Sequence, residues 1–259
     1  MPRPARWFLL LSLMATVLVP TTGVPAQPAT PDPPPDVREL ARRLDDLYLS
    51  RASISTVELK VVTPRRERTM RMRVWSRGRN RALVVLQRPA RERGTATLRI
   101  DRNLWNYLPR ISRTIRVPPS MMLSSWMGSD FTNDDLVHSA SYAEDFSSRI
   151  VGRTRSGRGW VLRMRARRGV VGLWRRIDMV VNNAGLPVRA KYFDRRMRHS
   201  RTLRFQDVRE LDGRRVPTRL VLIPLDRSGH RTELRYLNID FDARVPSSTF
   251  SLSRLERNR

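Results

Sequence analysis

Met70-Arg71-Met72-Arg73-Val74 alternates apolar and cationic side chains one for one. Successive side chains on a strand point to opposite faces, so this stretch sends Met70, Met72 and Val74 to one side and both guanidinium groups to the other. A helix would wind the arginines around the apolar groups instead of separating them. The same habit returns at Leu162-Arg163-Met164-Arg165-Ala166-Arg167. Both halves of the chain are therefore built from strands with one greasy and one charged face.

Further strands extend outward from these two. Ala82 to Gln87, Thr95 to Ile100, Leu104 to Leu108 and Ile111 to Val117 fall in the first half. Ile177 to Val181, Val188 to Tyr192, Leu203 to Phe205, Val216 to Ile223 and Glu233 to Phe241 fall in the second. Turn chemistry separates several of them, at Asp101-Arg102-Asn103, Asn182-Asn183-Ala184-Gly185, Asp212-Gly213 and Ser228-Gly229. Roughly ten strands at hairpin spacing without βαβ alternation predict a mainly β (α+β) fold with an antiparallel sheet. The arginine face must be wet and the Met, Leu, Val and aromatic face covered. So many strands in one sheet tend to curl, with the apolar side inward. A membrane barrel with arginines in its lumen is the competing geometry. Aromatic residues make up only 7% of the chain and form no girdles, which argues against it.

One helix is expected over residues 36–50. Asp36 and Glu39 form a capping-box-like pair, and Val37, Leu40, Ala41, Leu44, Leu47 and Tyr48 make a single apolar stripe. Ahead of it, Arg3 and Arg6 precede the apolar run Phe8 to Val19 and the small-residue site Val24-Pro25-Ala26. Residues 1–26 read as a secretory signal peptide, 27–35 as a proline-rich linker and 36–259 as one domain. The expected location is the periplasm, with cleavage near Ala26. The chain has no cysteine, so neither lipidation at its own N-terminus nor disulfides are available to it. Its net charge of +27 rests almost wholly on arginine, Lys60 and Lys191 being the only lysines. A charge of that size suits a polyanion. An export signal turns attention from nucleic acid to anionic lipid headgroups or acidic protein surfaces, with plain arginine-rich composition as the alternative.

Between the two strand blocks runs Pro118 to Leu136, dense in Met, Trp and Phe. Ser120 is expected to cap a short turn, Met122 and Trp126 to share a face, and Gly128 to stop it. Thr132 then opens a second short helix with Asp135 at the capping-box position. A long apolar connection must bury something, and methionine adapts to irregular guests. The segment reads as a flexible lid over the concave face, or as a plug that completes a core. Candidates for lining an apolar cavity are Met70, Met72, Val74, Trp105, Tyr107, Met121, Met122, Leu123, Trp126, Met127, Phe131, Leu162, Met164 and Met179.

Three stretches carry a resemblance to a known family. Leu104-Trp105-Asn106-Tyr107-Leu108-Pro109, the basic strand Ile111 to Arg116, and Trp126-Met127-Gly128-Ser129-Asp130-Phe131-Thr132 with Asp134-Asp135-Leu136 resemble the outer-membrane lipoprotein-sorting proteins, relatives of the periplasmic carrier LolA. The likeness runs from about residue 36 to Leu255, closing on Val245-Pro246 and Phe250-Ser251-Leu252. It implies an open half-barrel whose N-terminal helix and short helices cover the concave side. It also implies a non-enzymatic carrier of lipid or lipoprotein acyl chains, serving an inner-membrane transporter and an outer-membrane acceptor. A monomer with transient membrane-surface contact and without nucleic acid is expected. The arginine load departs from the family pattern.

No catalytic or cofactor signature competes. His138, His199 and His230 lack ligand spacing, and no nucleophile elbow, zinc-protease motif or phosphate loop occurs. Asp130, Asp134 and Asp135 read as helix-capping groups rather than a metal site, and Asp240 and Asp242 as partners for surplus arginines. No cofactor or metal is expected. Two alternatives to a carrier stay open: a filled-core adaptor subunit of an export system, and a hydrolase using carboxylates brought together from distant strands.

Overall fold

The computed structural model describes residues 33–137, 141–170 and 172–256; the expected signal peptide, most of the expected linker and His138 lie outside them. From Pro34 onward the chain forms one compact unit. Helix α1 (Val37–Asp46) comes first, its entry capped as expected by the Asp36 carboxylate, which accepts from the Glu39 amide at 2.7 Å. It ends four residues before the expected boundary. Tyr48 leaves the helical path to donate to the Pro217 carbonyl at 2.6 Å and stack on Tyr236.

Thirteen strands then build one sheet. They are β1 (Ala52–Val62), β2 (Glu67–Arg77), β3 (Arg81–Arg88), β4 (Ala96–Ile100), β5 (Asn103–Leu108) and β6 (Arg113–Arg116), followed by α2 (Asn133–Val137). The second block is β7 (Phe146–Arg153), β8 (Gly159–Ala166), β9 (Arg176–Asn182), β10 (Pro187–Phe193), β11 (His199–Leu211), β12 (Arg214–Pro224) and β13 (Arg231–Asp240). The short α3 (Leu252–Glu256) closes the chain. All pairings are antiparallel, in the order β6-β5-β4-β3-β2-β1-β13-β12-β11-β10-β9-β8-β7. The result is the curved, unclosed half-barrel expected. Two strands, β1 and β7, exceed those read from the sequence, and the expected strand at Ile111 to Val117 is shortened because Pro109 to Ile111 forms a helical turn.

Topology explains the central segment. Strands β6 and β7 are consecutive in the chain yet stand at opposite edges of the sheet. The connection between them therefore has to cross from edge to edge, and it does so over the inner face.

Strand register assigns the faces. Met70, Met72, Val84, Leu86, Val57 and Leu59 share the inner face in the first half, under Trp126. In the second half Leu162, Met164, Ile177, Met179, Val181, Ala190 and Tyr192 share it, covered by Leu40 and Leu44 of α1. Most arginines of β8 to β11 alternate to the outer face as expected, but Arg201 of β11 stands opposite Tyr192 on the inner face and is buried there. On β3 to β5 the expectation of one wet face fails. Leu83, Ala96, Leu98 and Tyr107 face outward there and are buried beneath Val245, Phe250 and Leu255 of the C-terminal segment. Among the described residues no helix is long and apolar enough to cross a membrane.

Candidate functional site

The connection over residues 118–137 is held down by several side-chain tethers. Trp126 is buried, and its indole N–H donates to Thr97 Oγ1 of β4 at 3.1 Å. The Asp130 backbone amide donates to Thr232 Oγ1 of β13 at 2.9 Å, while the Thr232 hydroxyl donates back to the Asp130 carboxylate at 2.7 Å. Arg227 pairs with the same carboxylate at 2.9 Å. Asp135 accepts two hydrogen bonds from Arg201 of β11. Just beyond, Asp45 of α1 accepts from Ser141 Oγ and from the Tyr142 and Ala143 amides at 2.7, 2.7 and 3.1 Å.

Local sequence dictates much of this path. Thr132 and Asp135 form the expected capping box, with the Thr132 amide on Asp135 Oδ2 at 2.9 Å and the Asp135 amide on Thr132 Oγ1 at 3.2 Å. Gly128 ends the Trp126 turn at φ +71°, a conformation that favours glycine. Ser120 does not cap its turn; it sits inside the helical turn Pro119–Met121, because two prolines already fix the entry. Met122 and Trp126 part company. Met122 packs with Leu104, Val117 and Val137, whereas Trp126 packs over β1 to β3.

Beside Trp126 the segment leaves a hollow of about 810 Å³ against β2, β3 and β5. Leu86, Leu108, Ile111, Val117, Met121, Trp126 and Met127 form most of its apolar wall, with Thr95, Asn106, Ser124, Ser125 and Asn133 between them. Arg68, Arg91, Glu92 and Arg110 complete it. Arg68 pairs with Glu92 and donates to the Met127 carbonyl at 3.0 Å. Leu108, Ile111 and Met121 are exposed, so the hollow opens through an apolar margin. That margin borders the free edge strand β6, where Ile115 is exposed as well.

Of the cavity candidates, Met121, Trp126 and Met127 line this hollow. Met70, Met72, Val74 and Phe131 pack in the cluster that holds Trp126. Leu123 is exposed. Leu162, Met164 and Met179 lie in the separate cluster beneath α1. Trp105 and Tyr107 point to the outer face, because Asn106 between them takes the inward position. Leu86, Leu108, Ile111 and Val117 are among the lining residues that sequence reasoning missed. For Leu86 the signal was its shared inward parity with Met72 across the β2–β3 register.

The acidic residues serve structure. Asp130 and Asp135 anchor the segment as above, and among the described residues no group of three His, Cys, Asp or Glu is placed to hold a metal. Among the described residues Asp240 and Asp242 form no ion pair with arginine: the Asp240 carboxylate accepts from the Asp242 amide at 3.0 Å and closes the turn after β13. His199 shares a hydrogen bond with Thr202 Oγ1 at 3.0 Å.

Fold and hollow together define an open half-barrel whose inner face is roofed by a tethered apolar segment. A family model described as "-like: Uncharacterized protein" matches residues 78–257, and the chain belongs to that family. Among solved structures, a DUF1329 family protein from Desulfovibrio piger superposes with a TM-score of 0.76 at 24% identity, covering 84% of this chain and 97% of that one. An outer-membrane lipoprotein-sorting protein domain from Vibrio parahaemolyticus gives 0.72 at 21% identity, covering 85% and 98%. A LolA superfamily protein from Nitrosomonas europaea gives 0.70 at 22% identity, covering 84% and 98%. These likenesses establish the fold. No curated protein matches the chain by sequence.

Proposed function

We propose that this chain is a non-enzymatic periplasmic carrier that shields the acyl chain of a lipid or lipoprotein while it passes between membranes or to a transporter. The observation that carries the reading is the hollow of about 810 Å³, walled by Trp126, Met127, Leu86 and Val117, beside the tethered roof segment. Ligand sites span roughly 300–1,000 Å³, so this one is at the roomy end. Moving a long acyl chain bare through water costs on the order of 10 kcal/mol, and an apolar chamber offsets most of it. The neighbours named as a lipoprotein-sorting domain and a LolA superfamily protein support the same reading.

A filled-core adaptor is the second reading, favoured by the inner face of β8 to β11, which α1 packs with the protein's own side chains. Carriage therefore uses the first half of the sheet alone. The test is to express the full chain with its N-terminus in a bacterium, purify it from the periplasm and examine a solvent extract by mass spectrometry. A co-purifying lipid in near-stoichiometric amount is expected. Neither bound lipid nor uptake of a fluorescent fatty acid would leave the adaptor reading in its place.

A further inference from the structure

The wall of the hollow combines apolar side chains, Trp126, Leu86 and Val117 among them, with three arginines, Arg68, Arg91 and Arg110. Among the described residues one carboxylate answers these three guanidinium groups. Glu92 pairs with Arg68 and lies 3.3 Å from Arg91. Arg110 has no ion pair among the described residues and is exposed at the mouth. The nearer cation is incompletely satisfied too, since Arg68 Nε is buried without an acceptor. Taken together, the site carries surplus positive charge, a buried donor awaiting an oxygen, and a hydrocarbon-lined chamber beside them.

Resting on the carrier reading, we propose that the ligand is an amphiphile with one anionic head, of carboxylate or phosphate type, its tail against Trp126 and Met127 and its head on Arg110, Arg91 and Arg68. A neutral ligand would leave the buried Arg68 Nε without an acceptor, which is unfavourable. Guanidinium forks match carboxylate and phosphate oxygens with paired, charge-assisted hydrogen bonds, and the arginine stems themselves extend the apolar wall. The head sits at the open margin and the tail within, so the ligand enters tail first past Leu108, Ile111 and Met121.

Binding of matched pairs to the full chain tests this. One pair is palmitate and hexadecanol; the other is lysophosphatidic acid and lysophosphatidylcholine with the same tail. Each is titrated by competition with a fluorescent fatty-acid analogue at low and high ionic strength. The anionic member is expected to bind about tenfold more tightly, the scale of a charge-assisted hydrogen-bond pair, and salt should shrink the difference. A preference in the first pair alone assigns a carboxylate head, and in the second alone a phosphate head. The double variant Arg91→Gln with Arg110→Gln spares the Arg68–Glu92 pair and should narrow the ratio several-fold. A preference untouched by that variant places the recognition elsewhere and overturns the assignment. Equal binding within both pairs overturns the anionic head while leaving the carrier standing; no binding of any of the four overturns the carrier itself.

Discussion

Arg201 of β11 and Asp135 of α2 meet through two parallel hydrogen bonds, Nη1 to Oδ2 at 2.7 Å and Nη2 to Oδ1 at 2.6 Å. The guanidinium also stacks on Trp174 at 4.2 Å and Tyr192 at 4.8 Å from the ring centroids. This pair fastens the roof segment to the far half of the sheet. Burial pushes the Asp135 carboxyl up, but the Arg201 bonds and charge, with those from Thr132, outweigh it and hold it below the usual carboxylate range.

Removing the acid leaves a buried arginine unanswered, so Asp135→Ala should cost about 3–5 kcal/mol in urea unfolding. The pH dependence has a definite sign. A carboxylate depressed in the fold stabilises it above its unfolded pKa of about 3.9, and the contribution is lost as pH falls through the lower folded value. The stability gap between wild type and Asp135→Asn should therefore be full at neutral pH and close on acidification below about pH 4. A gap independent of pH would show that the pair contributes through shape alone.

Trp126 is both wall and anchor. Trp126→Ala should destabilise by about 3–5 kcal/mol, as large-to-small changes at buried aromatics do. Trp126→Phe keeps the apolar wall and leaves Thr97 without the indole donor, which should cost only about 1 kcal/mol. Thermal unfolding of the two variants separates packing from tethering.

On the outer face, Arg149 stands directly opposite Arg163, and Arg165 opposite Arg176. Asp178 answers Arg163 and Arg176; Arg149 and Arg165 have no ion pair among the described residues. Like charges facing each other directly across strands are destabilising. Arg165→Glu should raise the melting temperature at low ionic strength, and added salt should stabilise the wild type more than this variant. A lower melting temperature at every salt concentration would contradict that account.

How far these features were legible follows from the residues themselves. The Met70–Val74 alternation displayed its strand openly because arginine and methionine differ so sharply. Strand β1 did not, since the polar Ser53 and Ser55 blur its alternation although both are buried. Strand β7 hides similarly behind Ser147, Ser148 and Gly152. Parity told which residues share a face but not what covers it. Trp105 and Tyr107 were thus read toward the cavity although a distant C-terminal segment buries them on the other side. Arg201 had no local signal at all. In so arginine-rich a chain, nothing nearby distinguishes the one that meets Asp135 across 66 positions. The capping box at Thr132 and Asp135, by contrast, is a short-range pattern and was legible in full.

The occupancy of the hollow can be read at its own wall. Palmitate carrying bromine on its tail is titrated into the wild type and the Trp126→Phe variant while tryptophan emission is followed. The carrier account predicts quenching that saturates at one equivalent, with a smaller amplitude in the variant because the indole touching the tail is gone. Emission that never saturates, or an amplitude identical in the two proteins, would mean that no hydrocarbon tail enters beside Trp126.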